Sequence, residues 1–490
     1  MCRPIHVSPD MWGRRGSLCA ASPHAKAQMS QPNIILIMTD QQRWDTLACN
    51  GYQHMITPHI DRLARRGVSF THAFAQGAVC GPSRNSIVSS QYVHSHGVEG
   101  NEQWLRPDQP NWIESLRAGG YQTANVGKMH TAPIRLPVGF EHRTVVENKN
   151  YQQGHHGPDP DDYDLFLAHH GLKRPALTYY KQIDDWPDRL QATVWPHDDD
   201  LYPDNYVGRT TVEYLEECDF QRPLFLWCGF TGPHDPYDVT ESFLRLYDDV
   251  DVPDPVGYDG ELATKPPPQQ AAMDGMDGRR SPAAVWWSRA TPERIRRMRK
   301  HYYANVTLMD DWVGKIVACV EARGQLDNTL FVFTSDHGDC LGDHHQVYKF
   351  SSHYDPVARV PLVFAGAGVM AQGTRDPLVE LIDLGPTFLQ MAGLEALEGA
   401  MGQPLSGQLA GEQESVHDTV FSEHGQRVMV RSRDWKLVAY LGQSYGELYD
   451  LRSDPDELHN LYDAAEGQVA RGGLYERMGQ WYGETRMRSL

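Results

Sequence analysis

The six residues Val79-Cys80-Gly81-Pro82-Ser83-Arg84 join a thiol, a rigid imide ring and a permanent cation. Pro82 suits the first turn of a helix, and the free N–H groups of a helix running toward Ser89 would point at a bound oxyanion. Ser83 can add a hydroxyl, and Arg84 a planar fork of donors. The junction reads either as an anion site with a nucleophile position or as a buried cysteine beside an ordinary helix start.

Further polar clusters follow apolar, strand-like runs, the arrangement expected when an α/β sheet gathers chemistry at its carboxyl edge. Residues 33–38 run into Thr39-Asp40-Gln41-Gln42, and 122–126 into Gly127-Lys128-Met129-His130. Residues 224–227 lead to Pro233-His234-Asp235, and 330–333 to Ser335-Asp336-His337-Gly338-Asp339. With the Cys80 segment they supply the groups of a site for a metal and a tetrahedral anion. Asp40, Asp336 and His337 are the ligands expected for a divalent cation. An amide oxygen from Gln41 makes that cage less anionic than an all-carboxylate one and leaves room for Mn2+. Arg84, Lys128 and Lys349 can meet charge developing on a transferred group, and a histidine such as His234 can serve as general acid near neutral pH.

Taken in order, these motifs resemble the sulfatase family of the alkaline phosphatase superfamily. Its pattern Cys-x-Pro-Ser-Arg is complete at Cys80 to Arg84, and the resemblance continues through Gly127-Lys128-Met129-His130, Gly232-Pro233-His234, Ser335-Asp336-His337-Gly338-Asp339, Arg359-Val360-Pro361-Leu362 and Glu447-Leu448-Tyr449-Asp450-Leu451. The ordered set is specific, whereas a lone Gly-Lys is not. Gln41, standing where many sulfatases carry a second acid, looks like choline-sulfatase and phosphonate-monoester-hydrolase relatives.

The resemblance implies that a formylglycine-generating enzyme oxidises Cys80 to formylglycine, whose aldehyde hydrates to a geminal diol. One hydroxyl attacks sulfur and the other later collapses the hemiacetal sulfate, so covalent catalysis carries its own release step. By the same resemblance the metal set is Asp40, Gln41, Cys80, Asp336 and His337, with Ca2+ the usual cation. Arg84 and Lys128 would hold the hydrated aldehyde and the sulfate. His130 would take a proton during hemiacetal breakdown, and His234 with Lys349 would face the leaving oxygen. Asn101 is either a contact to a substrate oxygen or a turn-forming asparagine. The expected reaction converts a small-molecule sulfate ester to an alcohol and inorganic sulfate. Phosphonate monoester or phosphodiester hydrolysis is the alternative on the same scaffold, and a catalytically silent anion-binding homologue is another.

The elements that must position these groups fit an α/β fold: a large mixed sheet sandwiched by helices, alkaline-phosphatase-like, with a smaller C-terminal antiparallel α+β subdomain. Residues 57–67 read as a short helix followed by a strand near 68–70. Residues 292–321 read as a long helix whose apolar face, Val306, Met309, Val313, Ile316, Val317 and Val320, packs on the sheet. Residues 148–204 and 253–282 lack periodicity and read as insertions, either pocket-shaping or solvated. After Pro404 short alternating runs at 419–421, 428–430 and 436–439 precede a helix near 468–482. The expected division is a non-native or disordered extension at 1–28, a catalytic domain at 29–403 and a C-terminal subdomain at 404–490.

A chain of 490 residues with 40% hydrophobic content can bury an extensive core. Its net charge of −19 opposes nonspecific nucleic-acid binding, so local cations must create any anion site. Eight cysteines without regular pairing or zinc-type spacing suit a reducing, cytoplasmic setting. Arg14-Arg15 lacks the apolar run of a signal peptide, and no stretch approaches membrane-spanning length. No membrane partner is therefore expected, and the sequence leaves oligomerisation open.

Overall fold

The computed structural model describes residues 31–149, 160–274, 276–277, 285–349 and 353–486. Its order starts from the strand β1 (Asn33–Asp40), buried along its whole length. Alternate side chains of a strand point to opposite faces. Ile35 and Ile37 accordingly enter one apolar layer and Ile34, Leu36 and Met38 the other, which makes β1 a central strand covered on both sides.

The remaining strands, in chain order, are β2 (Gly67–Phe74), β3 (Gln122–Gly127), β4 (His142–Val145), β5 (Thr193–Val194), β6 (Leu224–Pro233), β7 (Asp238–Val239), β8 (Thr329–Ser335), β9 (Arg359–Gly366) and β10 (Gly373–Glu380). The chain then adds β11 (Thr419–His424), β12 (Arg427–Ser432), β13 (Trp435–Tyr440) and β14 (Gly446–Asp450). The main sheet has the order β10-β2-β9-β8-β1-β6-β3-β4. β1 is parallel to both β6 and β8, β3 is parallel to β6, and β9 runs against its two neighbours. The carboxyl ends of β1, β3, β6 and β8 therefore lie side by side along one edge. β5 and β7 form a separate two-stranded pair.

Helices cover both faces, as the expected mixed-sheet fold requires. Pro58–Arg66, Pro203–Glu217 and Pro292–Ala322 pack over one face, and Trp112–Ala118 and Leu384–Met391 over the other. Val306, Met309, Val313, Ile316 and Val320 of the long helix are buried, as their spacing predicts, while Val317 is only partly buried. β11 to β14 make an antiparallel meander whose apolar side packs on the C-terminal helix Gln468–Arg486. β14 was not predicted as a strand, because Gly446 and two acidic residues interrupt its five-residue apolar pattern.

The stretch 160–204 is not a bare loop. Asp162–His169, Leu177–Tyr180 and Trp186–Arg189 are short helices, and Tyr163 and Leu167 enter the core. The expected extension at 1–28 lies outside the described residues, as do parts of the two insertions. The described residues from Gln31 onward pack as one compact unit, with the C-terminal sheet against the main one through the bridges Gly77 to Glu423 and Leu378 to His417. No described helix is long and apolar enough to cross a membrane, and the six described cysteines are all thiols.

Candidate active site

Four strand ends and one helix start deliver the polar groups that the sequence singles out. Cys80 opens the helix Cys80–Ser89, every residue of which is buried. Gly81 is needed there, because a Cβ would stand 2.9 Å from Asn101 Cα and from the Gly100 carbonyl oxygen. The Gly81 N–H donates to Asn101 Oδ1 at 2.9 Å, so Asn101 ties down the first turn of the helix.

Asp40 at the end of β1, Asp336 and His337 after β8, and Cys80 each offer a ligand atom within 4.8 Å of the others, and all four are buried. His337 Nε2 is 3.1 Å from Cys80 Sγ, while Nδ1 donates to the Gly338 carbonyl at 2.9 Å. That second bond leaves the Nε2 lone pair on the side of the cluster. Gln41, next in the chain, adopts a left-handed backbone with φ of 69°. Its N–H donates to Asp336 Oδ1 at 3.0 Å and its side-chain Oε1 accepts from Lys349 Nζ at 2.5 Å.

The cations surround this cluster. Arg84 Nε donates to Asp336 Oδ2 at 2.8 Å and its Nη1 to the Lys128 carbonyl at 2.9 Å. Arg84 Nη2 is buried without a hydrogen-bond acceptor among the described residues, 4.0 Å from Asp40 Oδ2. Lys128 forms an ion pair with Asp40 and donates to Asn148 Oδ1 at 2.9 Å. Lys349 Nζ lies 3.2 Å from Cys80 Sγ and donates to His234 Nε2 at 2.9 Å. His234 Nδ1 in turn donates to the Asp235 carbonyl at 2.7 Å. In this arrangement the proton between the two side chains sits on Lys349, and His234 accepts it.

Electrostatics follow from the crowding. Burial favours a neutral Asp40, but Lys128, His234, Lys349 and Arg84 overcome it and hold the carboxyl well below the usual carboxylate range. Burial and Asp40 push the Cys80 thiol up, yet Lys349, His337 and Lys128 bring it well below an ordinary cysteine. Burial, then Lys349, lowers His234. Burial and the neighbouring Asp40 oppose ionisation of Asp336, and Arg84 and His337 outweigh them to lower it. The result is an anionic ligand set inside a cationic ring, suited to a dication on one side and a tetrahedral oxyanion on the other.

Several positioning residues escaped the sequence reading. Asp339 Oδ1 accepts the N–H groups of Leu341 and Tyr348 at 2.9 Å each, and Oδ2 accepts Gln41 Nε2 at 2.5 Å and the Tyr237 hydroxyl at 2.8 Å. One carboxylate therefore fixes both Gln41 and the loop that ends at Lys349. Glu147 Oε2 accepts the N–H of His130, whose φ of 61° is left-handed, at 2.9 Å. Burial raises the Glu147 carboxyl to about 7. Glu147 and Asn148 follow β4, Asn148 opening the stretch read as an insertion, and nothing in their spacing ties them to Lys128 or His130. The Ser-Asp-His-Gly-Asp run does contain Asp339, but only tertiary contacts reveal its four donors.

Comparison with known proteins agrees with this geometry. The family model described as Sulfatase matches residues 32–394, and the one described as N-sulphoglucosamine sulphohydrolase, C-terminal, matches 342–482. An arylsulfatase of Clostridium perfringens is 28% identical over 459 residues, covering 89% of this chain and 91% of that protein. A choline-sulfatase of Rhizobium meliloti is 28% identical over 461 residues, covering 91% of this chain and 85% of that protein. The crystal structure of a phosphonate monoester hydrolase of Agrobacterium radiobacter superposes with a TM-score of 0.78 at 25% identity, covering 94% of this chain and 96% of that one.

Proposed function

The chain belongs to the sulfatase family and is a sulfuric ester hydrolase, and from that premise we propose that it works through a matured Cys80 beside a divalent cation. The observation that carries this reading is the convergence of Cys80, Asp40, Asp336 and His337 within 4.8 Å, ringed by Arg84, Lys128 and Lys349.

The residues present suit a cation. Two ionised carboxylates and an imidazole meet at one buried point, a donor set of hard oxygens and one nitrogen that suits a divalent cation. Asp40, Asp336 and His337 would hold Ca2+ or Mn2+, joined by the matured residue 80, with Gln41 Oε1 in reach if Lys349 yields it. The cation would supply Lewis-acid polarisation of the sulfate oxygens. Formylglycine at position 80 would supply a hydrated aldehyde, which a thiol cannot imitate because release needs a second hydroxyl.

Each remaining role belongs to side chains of this chain. Arg84, with Nη2 still able to donate, and Lys128, steadied by Asn148, bind the equatorial oxygens of the ester. The Lys349 and His234 pair faces the departing oxygen and delivers its proton, Lys349 holding it in the resting arrangement. His130, fixed through its backbone by Glu147, takes the proton that frees sulfate. The partner during maturation would be a formylglycine-generating enzyme.

A second reading has a specific observation behind it, the superposition on a phosphonate monoester hydrolase. A singly ionised phosphonate or phosphodiester matches a sulfate ester in charge and shape, so Arg84 and Lys128 would accept either. A panel of 4-nitrophenyl sulfate, choline sulfate and phenyl phosphonate esters, assayed on matured protein, separates the two. We expect kcat/KM to be highest on a sulfate ester; dominant phosphonate turnover would replace the first reading by the second.

A further inference from the structure

The sheet does not by itself aim Lys128 and His130. β4 is the edge strand and pairs with β3 only as far as Val145 opposite Gly127, so residues 146–149 run on past the last strand pair. Side chains take over there. Asn148 Oδ1 accepts from Lys128 Nζ at 2.9 Å, and Glu147 Oε2 accepts the His130 N–H at 2.9 Å. Lys149 Nζ donates to the Pro236 carbonyl at 3.0 Å, just beyond His234, and lies 3.1 Å from Asp238 Oδ1. The stretch 147–149 thus touches three parts of the site, and it can place them only if its own backbone is fixed.

The hold comes from residues 161–174, inside the segment whose sequence lacks periodicity. Asp161 caps the helix Asp162–His169, and its Oδ2 accepts the Glu147 N–H at 3.1 Å. Asp162 Oδ2 accepts the Val145 N–H at 2.6 Å. Arg174 closes the arrangement: its Nη1 donates to the Asn148 carbonyl at 3.0 Å, its Nη2 pairs with Asp161, and its Nε lies 3.1 Å from Asp164 Oδ1. The guanidinium carbon is also 4.9 Å from the ring centroid of Tyr163, a core residue. Arg174 and Asp161 are both buried, so their pair is not a solvated surface bridge. A planar fork that reaches a carbonyl and a carboxylate at once orients a backbone in a way that a point charge does not.

We propose that Arg174 is a positioning residue for the sulfate-binding side of the site. Through the Asn148 carbonyl, and through Asp161 on the Glu147 N–H, it fixes residues 147–149, and these aim Lys128 and His130 at the sulfuryl group. The inference rests on the reading of Lys128 and His130 as the groups that meet the sulfate. It gives residues 161–174 a part in the reaction that is exerted entirely through other side chains.

The test uses matured full-length enzyme, 4-nitrophenyl sulfate as substrate and inorganic sulfate as the competing product. In Arg174→Gln we expect the inhibition constant of sulfate to rise roughly tenfold and kcat/KM to fall roughly 100-fold, the cost of a misplacement near 1 Å. Arg174→Lys, which keeps the charge and one donor, should recover part of both. A smaller folded fraction lowers the apparent kcat but leaves an inhibition constant where it was, so the sulfate constant separates positioning from stability. Asn148→Ala supplies a second arm. Because Arg174 acts through Asn148, adding Arg174→Gln to that variant should move the sulfate constant little further. If Arg174→Gln does not fold, Asp161→Asn loosens the same hold while keeping an oxygen for the Glu147 N–H, and a rise of the same sign is expected. A sulfate constant unchanged in the Arg174 and Asp161 variants, or losses that multiply in full in the double variant, would overturn the positioning role. Lys128→Ala tells the two readings apart. A raised sulfate constant there with none in Arg174→Gln removes this inference alone, whereas an unchanged constant in Lys128→Ala removes the assignment of Lys128 and the inference with it.

Discussion

Asp339 shows how a residue that touches nothing reactive can set the geometry of those that do. Its two oxygens hold Gln41, Tyr237 and the loop leading to Lys349. Replacing it with alanine frees that loop, and a displacement near 1 Å at Lys349 is enough to cost roughly 100-fold in rate. We expect Asp339→Ala to lower kcat far more than it raises KM; steady-state kinetics showing an unchanged kcat would exclude this positioning role. Asp40, Lys128, Asp336 and His337 were legible in the sequence because each follows an apolar run that reads as a buried strand, and Cys80 and Arg84 because they open a helix. Asp339, Glu147 and Asn148 were not, since their roles rest on partners from other elements. Asn101 was legible only as an asparagine, and the bond its Oδ1 accepts from Gly81 is a tertiary contact that sequence spacing does not announce.

At the scale of elements, the strand ends could be placed from pattern alone, whereas the joints between the two sheets could not. One such joint is the cluster of Glu380, Asp383 and His417, where His417 Nε2 lies 2.9 Å from Asp383 Oδ2. Asp383 is further held by the N–H groups of Glu380 and Gln403, and Glu380 by the Tyr92 hydroxyl. Burial lowers His417, but Asp383, by charge and hydrogen bond, and Glu380 outweigh it and raise the imidazole to about 9. A raised histidine stabilises the fold fully below its unfolded value near 6.5, and that contribution fades as pH climbs through the folded value. We expect wild type to exceed His417→Gln by an amount on the order of 3 kcal/mol near pH 6, with the gap closing toward pH 10. Denaturant melts across that range check this, and a gap constant with pH would contradict it. The segment 160–204 teaches the opposite lesson. Its short helices follow no clear period, and Tyr163 and Leu167 are recruited to the core by neighbours distant in sequence.

For the whole molecule, a net charge of −19 is reconciled with an anion site by the local cations Arg84, Lys128 and Lys349 gathered around Cys80 and the two carboxylates. Inside the cleft, Asp40 and Asp336 face each other at buried positions, an arrangement a bound dication would relieve. Dialysis against a chelator should therefore lower both activity and melting temperature, and Ca2+ or Mn2+ should restore them. A melting temperature indifferent to chelator and to added cation would remove the metal from the proposal. The central claim is that matured residue 80 is the nucleophile of sulfate-ester hydrolysis, and its most direct test is inorganic sulfate released from 4-nitrophenyl sulfate as a function of the fraction of Cys80 converted to formylglycine. We expect release to rise in proportion to conversion and to vanish in Cys80→Ala; release that is independent of conversion would contradict it.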